Sequence, residues 1–398
     1  MKITINYKII FVLVGIIILI GILTFTSVIE NSKKKDISLV KDLSCEFREE
    51  VYIMDFVAKI NGTVIDNPKV DTTHVGIQTV SLTYKTTYGL HLTKQFEIEV
   101  KDVISPTVVV SNPYTIEVGS ITNLMDTIFC ADDYDDNIEC NIIGDYDLDK
   151  VGKYDLEIVA TDHSNNITTK EFTLNVIEKT NKKTTPSKEY TSFDKIYQKY
   201  KNEDTLIGLD LSKWQGDVDF SKLKEQGVAF VMLKVGGQTK IGGKFNIDPK
   251  FYDNIKKANE YGIKVGLYFY SYAKTEAEAR EQAKWVVSKV NDYDIELPIV
   301  FDWENWNKYT TFHISFNTLN KVAKAFMEEV EKNGYEAMLY SSKYYLETIW
   351  YQEDYKIWLA YYTNNNDYIG DYVMWQLCNN GKIDGIDGYV DIDVMYLD

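Results

Sequence analysis

The sequence predicts a multidomain protein with an N-terminal transmembrane helix, two β-sandwich modules and a C-terminal α/β barrel whose outer helices are incomplete. Its 398 residues exceed what one ordinary hydrophobic core holds. An apolar stretch comes first, runs rich in Val, Ile, Thr and Tyr follow it, and strands alternating with amphipathic helices fill the C-terminal half. The net charge of −17, with only one short lysine run, argues against a nucleic-acid partner.

The first element is an almost unbroken apolar stretch over residues 9–29, which is long enough to span a bilayer as a helix. No small-x-small cleavage site follows it, so an uncleaved signal anchor is favoured over a removed signal peptide. Lysines at 33–35 weaken the charge argument for orientation. The orientation depends more on the function of the other domains than on charge, and we expect a cytoplasmic stub at residues 1–8 and a single-pass cell-membrane protein whose other domains are extracytoplasmic.

Two β-sandwich modules are predicted next, at residues 30–103 and 104–178, because short strand-like runs alternate with turn clusters. The second module resembles the bacterial immunoglobulin-like repeats of cell-surface proteins in Gly119-Ser-Ile-Thr-Asn-Leu, Ala131-Asp-Asp-Tyr-Asp-Asp-Asn-Ile and Gly152-Lys-Tyr-Asp-Leu-Glu-Ile. The first module matches that family only loosely. The resemblance implies two immunoglobulin-like modules that act as spacers or binding units without chemistry.

Four aspartates crowd one turn of the second module: Asp132, Asp133, Asp135 and Asp136. They could chelate calcium through oxygen ligands, but a solvated acidic loop is the favoured interpretation. Cys130 and Cys140 flank this turn, and a disulfide between them is left open. The four cysteines and four histidines show no paired metal-ligand spacing, so we predict no zinc site.

Residues 179–205 are polar and form a predicted linker, whose segment Phe193–Tyr200 has helical spacing and could pack on the next domain. From residue 206 to residue 398 about eight strand candidates alternate with helices, which predicts the barrel.

Catalytic groups of such barrels lie at the C-terminal ends of strands, and four acids of this domain are predicted there: Asp210, Asp302, Glu304 and Asp391. Asp302 and Glu304 are two residues apart, so both side chains would project from the same face of one strand. Two carboxyls that close cannot both ionise freely, which can keep one of them protonated as a general acid.

Aromatic residues accompany these acids, since all seven tryptophans lie in this domain. We expect a saccharide-binding cleft with flat apolar walls and polar tips formed by Trp214, Tyr268, Tyr270, Trp306, Trp358, Tyr361 and Trp375.

The same region resembles the glycoside hydrolase family 25 lysozymes, in motifs that occur in the family's order: Gly208-Leu-Asp-Leu-Ser-Lys-Trp-Gln-Gly, Phe230-Val-Met-Leu-Lys-Val-Gly, Gly266-Leu-Tyr-Phe-Tyr, Phe301-Asp-Trp-Glu, Trp358-Leu-Ala-Tyr-Tyr, Trp375-Gln and Val390-Asp. The resemblance implies hydrolysis of the β-1,4 bond between N-acetylmuramic acid and N-acetylglucosamine in peptidoglycan, by an extracytoplasmic domain that needs no cofactor.

Carried over by position, the resemblance implies that Glu304 is the proton donor, that Asp302 is the carboxylate beside it, and that Asp210 and Asp391 are supporting acids. Asp393 stands where the family commonly has asparagine, so it is a further candidate contact that could raise the pKa of Glu304 or compete with Asp391. Asp302 could orient the 2-acetamido group of the substrate or position water.

Two other functions are kept as alternatives. One is a non-catalytic anchor that grips peptidoglycan strands. The other is a thiol hydrolase built on Cys378 and His313, around which no orienting motif is present.

Overall fold

The computed structural model describes residues 14–27, 37–87, 89–179, 190–304, 313–351 and 355–397. The chain divides into two compact units, Met1–Val103 and Ile104–Asp398. The first β module lies in the first unit. The second β module and the barrel lie together in the second unit, so their mutual contacts belong to one body.

The predicted transmembrane helix over residues 9–29 is wrong. Residues 14–27 form helix α1, and none of the helices in the described ranges is long and apolar enough to cross a membrane. The predicted single-pass topology and cell-membrane localisation depended on that helix and are not supported either. The predicted stub at residues 1–8 lies outside the described residues.

The first module consists of strands β1 to β6, which in chain order are Ile37–Leu39, Ser44–Glu46, Val57–Ile60, Gly62–Asp66, Gly76–Thr86 and His91–Lys101. A four-stranded sheet has the order β2-β6-β5-β4, and β1 pairs with β3. Along β6, Phe96, Ile98 and Val100 are buried while the residues between them are exposed. This two-residue period places one face of the sheet on the core of the module.

The second module consists of strands β7 to β12, which are Thr107–Val109, Tyr114–Glu117, Phe129–Ala131, Glu139–Ile143, Gly152–Thr161 and Ile167–Ile177. One sheet has the order β10-β11-β12-β8 and the other pairs β7 with β9. Val108 of the small sheet and Phe172 of the large one share a core. The disulfide between Cys130 and Cys140 is present. The immunoglobulin-like assignment stays a prediction, since many families pack two β-sheets this way.

Strand β13 (Thr191–Ser192) and helix α2 (Phe193–Tyr200) precede the barrel. Helix α2 forms where the spacing predicted it and buries Phe193 and Ile196 in the core of the barrel.

Eight strands close the barrel: β14 (Thr205–Leu211), β15 (Phe230–Gly237), β17 (Lys264–Tyr270), β18 (Ile299–Asp302), β19 (Ala337–Ser342), β20 (Lys356–Ala360), β21 (Met374–Lys382) and β22 (Val390–Tyr396). Short strand β16 (Asn246–Ile247) pairs with β15. Strands β14 to β21 of the barrel are parallel, whereas β22 is antiparallel to both β21 and β14. The start of β22 therefore lies at the same mouth as the ends of the other strands.

Alternate residues of the strands fill the barrel interior. Phe230, Met232, Val300 and Met338 belong to this inner cluster. At Gly208 a Cβ atom would lie 2.5 Å from the ring of Phe230, so glycine is required where the two strands crowd the interior.

The outer layer contains helices α3 to α7, which are Phe220–Glu225, Phe251–Glu260, Glu276–Val287, Phe316–Lys332 and Lys343–Thr348. The described connections after β20 and β21 contain no helix, so the outer layer is incomplete. The barrel predicted from the sequence is present, and the error in the predicted fold class concerns the transmembrane helix.

The acidic loop after β9 is a docking element and is not the solvated loop that we expected. The Phe316 N–H at the start of α6 donates to the Asp132 carbonyl at 2.9 Å, and the Asn317 N–H donates to the Asp133 carbonyl at 2.9 Å. The rings of Phe129 and Phe316 stack with centroids 6.4 Å apart. The first N–H groups of a helix lack acceptors within the helix. The carbonyls of this loop supply those acceptors for α6.

Candidate active site

The acids predicted at strand ends meet at one mouth of the barrel. Asp210 lies near the end of β14, Asp302 ends β18, and Glu304 follows two residues later. Asp391 lies at the start of β22 and pairs in register with Asp210. Two-residue alternation directs Asp210, Asp302 and Asp391 to the barrel interior, and Glu304 lies just beyond the end of β18.

A cavity of about 300 Å³ occupies this mouth. Its lining contains the four predicted acids and four of the predicted aromatic residues. The lining residues are Asp210, Ser212, Trp214, Gln215, Lys234, Tyr268, Tyr270, Asp302, Glu304, Tyr340, Trp358, Tyr362 and Asp391.

Asp302 and Glu304 differ in exposure. Asp302 is 2% exposed, whereas the Glu304 side chain is exposed beyond the strand end. Burial, and then the negative charge of Glu304, hold the pKa of the Asp302 carboxyl well above its usual range. A hydrogen bond between the two side chains acts in the same direction. The pair can therefore retain a proton that two separate carboxyls would lose.

The second acid pair lies across the mouth. Burial, followed by the charge of Asp391, raises the pKa of Asp210 well above its usual range. A hydrogen bond from Tyr268 and the positive charge of Lys234 oppose this shift. Burial and the charge of Glu304 raise the pKa of Asp391 to about 6.

Asp393 lies beneath the site, is fully buried, and does not line this cavity. Its Oδ1 accepts a hydrogen bond from Trp358 Nε1 at 2.9 Å. Burial, and then the charges of Asp210 and Asp391, raise the pKa of Asp393 well above its usual range. Asp391 is therefore the acid of β22 that faces the cavity.

Three predicted aromatic residues have positions suited to contact a ligand. Trp214 is 78% exposed at the rim, on the short turn Lys213–Gln215. Tyr268 and Tyr270 line the mouth, and the Lys234 ammonium lies 5.5 Å and 4.7 Å from the centres of their rings. The mouth thus combines flat apolar faces with polar tips.

The other predicted aromatic residues separate into different roles. Trp358 is buried below the acids and packs against Tyr340 with ring centroids 4.7 Å apart. Trp375 is 2% exposed, does not line this cavity, and donates from Nε1 to the Tyr361 carbonyl at 2.8 Å. Trp375 is therefore a core residue. Trp306 lies outside the described residues.

A second cavity of about 500 Å³ adjoins the first. It contains Tyr361 and shares Glu304, Tyr340 and Tyr362 with the first cavity. Glu304 thus stands where the two cavities meet, which leaves room for a chain-like ligand on both sides of its carboxyl.

Sequence reasoning missed Lys234, whose charge acts on Asp210 and Asp302, and a hydrogen-bond network of Tyr340, Tyr362 and Gln376. Gln376 Oε1 accepts hydrogen bonds from both tyrosine hydroxyls at 2.9 Å. Its Nε2 donates to Asp210 Oδ2 at 3.4 Å. Lys234 and Tyr340 follow the same strand alternation as the acids, so the pattern could have indicated them. Tyr362 lies in a loop, where no such pattern exists.

The residues of the predicted thiol alternative lie apart from this mouth. Cys378 is buried, lines neither cavity, and burial raises the pKa of its thiol, which disfavours the reactive thiolate. His313 lines a separate cavity beside the second module. Among the described residues, acidic ligand atoms close enough to share one metal ion include those of Asp132, Asp135 and Asp162, away from the mouth.

A barrel whose mouth gathers a coupled carboxyl pair, further acids and aromatic walls defines the site of a glycoside hydrolase. Comparison with protein-family models identifies the group, because residues 209–386 match the model described as Glycosyl hydrolases family 25. These residues form a family 25 glycosyl hydrolase domain, so the chain carries a lysozyme-like glycoside hydrolase domain.

Similar proteins match this part of the chain. The uncharacterized protein YegX of Escherichia coli K12 is 28% identical over 201 residues, which cover 48% of this chain and 69% of YegX. An autolytic lysozyme of Clostridium acetobutylicum is 26% identical over 192 residues, covering 47% of this chain and 55% of that enzyme.

Solved structures are also similar. The modular autolysin LytC of Streptococcus pneumoniae, solved with a synthetic peptidoglycan ligand, has a TM-score of 0.42 and 25% identity, covering 60% of this chain and 56% of LytC. A family 25 glycosyl hydrolase of Bacillus anthracis has a TM-score of 0.42 and 24% identity, covering 50% and 91%. The match therefore spans little more than half of LytC and of the clostridial lysozyme.

Proposed function

We propose that this chain is an N-acetylmuramidase that hydrolyses the β-1,4 bond between N-acetylmuramic acid and N-acetylglucosamine in peptidoglycan. The observation that carries the proposal is the position of Glu304, exposed where two cavities meet and coupled to the buried Asp302. The similarity to an autolytic lysozyme supports the same substrate class.

Glu304 is the proposed general acid. Glycoside cleavage passes through an oxocarbenium-like transition state and needs a proton on the departing oxygen. An exposed carboxyl between two cavities can reach a bond whose two sugars occupy one cavity each. The buried partner keeps a proton available to the pair, which Glu304 then delivers to the leaving oxygen.

Asp302 is proposed to orient the 2-acetamido group of the substrate. Two carboxyls that act on opposite sides of a sugar stand about 5 Å apart or more. A carboxyl hydrogen-bonded to Glu304 is closer than this, so it lies on the same side as the acid. From there Asp302 can accept a hydrogen bond from the N–H of the 2-acetamido group and so direct the oxygen of that group to the anomeric carbon. Positioning of water is the alternative role.

Asp210 and Asp391 are proposed as supporting acids. They face the mouth from neighbouring strands, and Asp210 is held by hydrogen bonds from Tyr268 and Gln376. Carboxylates in this position stabilise the positive charge that develops on the sugar ring. Trp214, Tyr268 and Tyr270 supply stacking faces for the sugars, and Tyr361 does so in the second cavity.

The direct test is Glu304→Gln in the full chain, assayed for release of reducing ends from purified peptidoglycan. We expect a loss of about 10²- to 10⁴-fold, because the amide cannot donate the acid proton. Glu281→Gln, an exposed residue of α5, is the matched control and should keep full activity. Activity retained by the Glu304 variant would refute the acid assignment. Wild-type binding to peptidoglycan without reducing-end release would instead favour the non-catalytic anchor.

A further inference from the structure

Three carboxylates of the second β module converge away from the barrel mouth. Asp132 and Asp135 belong to the loop after β9, and Asp162 follows β11. One carboxylate oxygen of each lies within 4.8 Å of the others. Asp132 is 1% exposed and Asp162 is 6% exposed, so the cluster is largely removed from solvent.

One oxygen of this cluster lacks the partner that its burial requires. Asp132 Oδ1 accepts the N–H groups of Tyr134 and Asp135, both at 2.8 Å. Asp132 Oδ2 is buried and has no hydrogen-bond partner. A buried carboxylate oxygen without a partner is strongly unfavourable, so its environment is suited to a cation.

The neighbouring side chains compensate the charge only in part. Asp162 accepts two hydrogen bonds from Asn166 at 2.8 Å, which carry no charge. Asp135 Oδ1 lies 3.2 Å from His163 Nδ1. Histidine carries a charge only when it is protonated, so this contact is not a permanent counter-charge.

We propose that Asp132, Asp135 and Asp162 bind a calcium ion. Calcium prefers several oxygen ligands, and these three carboxylates each supply an oxygen within 4.8 Å of the others. Magnesium requires near-ideal octahedral geometry and usually keeps several waters, so a set of buried protein carboxylates suits it less. Zinc favours nitrogen and sulfur ligands, which this set of carboxylates does not supply.

The ion would stabilise the loop after β9, which contacts the start of helix α6 in the catalytic domain. This loop accepts N–H groups from the start of α6: Ser315 donates to Asp136 Oδ1 at 2.7 Å, and Phe316 donates to the Asp132 carbonyl at 2.9 Å. The disulfide between Cys130 and Cys140 closes the same loop. Calcium would therefore stabilise the junction between module and barrel without entering the active site.

The test uses the full chain after treatment with EDTA and dialysis. Calorimetric titration with calcium chloride should give saturable binding near one ion per chain, with Kd at or below about 1 mM. The unfolding temperature should rise with calcium and rise less with magnesium at the same concentration. Absence of heat and of a thermal shift at ten times that concentration would overturn the proposal.

Asp132→Asn identifies the site. Asparagine keeps an Oδ1 that accepts the two loop N–H groups, so the turn is preserved while the charge is removed. We expect Kd for calcium to rise about tenfold or more, since affinity depends on the number of charged ligands. Asp145→Asn, an exposed residue of the same module, is the control and should bind as the wild type does. Equal binding by the Asp132 variant and the wild type would refute the site.

Discussion

Asp210 of β14 and Asp391 of β22 are register partners on adjacent antiparallel strands. Their carboxyls come from opposite ends of the domain sequence, and the charge of Asp391 helps to raise the pKa of Asp210 at the barrel mouth. The reversal of β22 makes this possible, because a parallel last strand would place its first residues at the other end of the barrel. The proposed mechanism therefore depends on a single antiparallel closure.

Asp391→Asn should stabilise the fold at neutral pH. The folded pKa of about 6 exceeds the ordinary 3.8, so the folded chain binds this proton more tightly than the unfolded chain does. The stability due to that proton is complete below about pH 4 and is lost as pH rises through 6. Asparagine does not ionise, so the free energy of unfolding of the variant should exceed that of the wild type by at most about 3 kcal/mol at pH 7.

Thermal unfolding at pH 4 and pH 7 checks this expectation. The difference in Tm between the variant and the wild type should be larger at pH 7. Asp387→Asn, which is exposed in the preceding turn, is the control. The same difference at both pH values would contradict the pKa argument, and hydrolysis by the Asp391 variant should fall if Asp391 is a supporting acid.

Asp302→Asn should reduce kcat by about 10²-fold or more, because the amide can neither share the proton of the pair nor orient the acetamido group as a carboxylate does. If the acetamido group is the nucleophile, the wild type retains the anomeric configuration. Proton NMR of the first product formed measures this outcome. An inverted product would assign Asp302 to water instead, and exposed Asp292→Asn serves as the control for kcat.

Lys234→Met should shift the acid limb of the activity profile to higher pH. The Lys234 charge lowers the pKa of both Asp210 and Asp302, so its removal makes these carboxyls harder to ionise. We expect roughly tenfold loss of kcat/KM at pH 5 and a smaller loss at pH 7. Lys264→Met, at the opposite end of a neighbouring strand, should leave the profile unchanged. A uniform loss at every pH would indicate a binding role alone.

Trp214→Ala should raise KM for glycan strands by roughly threefold to tenfold with little change in kcat, because an exposed rim ring stacks on sugar in the ground state and the transition state alike. Steady-state kinetics on a soluble glycan of defined length separates the two constants. Tyr261→Ala removes an exposed aromatic ring away from both cavities and should change neither. A fall in kcat alone would contradict the stacking role.

Strand alternation made the acids of the site predictable. Asp210, Asp302 and Glu304 follow apolar runs, and the i and i+2 rule places the last two on one face. Exposure of the aromatic residues could not be predicted in the same way. Trp214 lies in the turn after β14 and is exposed at the rim, whereas Trp375 lies within β21 and is core. Burial of an aromatic ring depends on neighbours from distant parts of the chain, which local pattern does not contain.

The sequence by itself determined the β modules, the barrel and the acids at its strand ends, because two-residue periodicity and strand-to-helix alternation are local properties. An apolar run in the sequence was not sufficient to predict a membrane-spanning helix, and no described helix is long and apolar enough to cross a bilayer. Only the tertiary structure decided that Asp391 faces the cavity while Asp393 lies beneath it, and that the acidic loop docks on α6. Those outcomes depend on strand direction and on contacts between residues far apart in the chain.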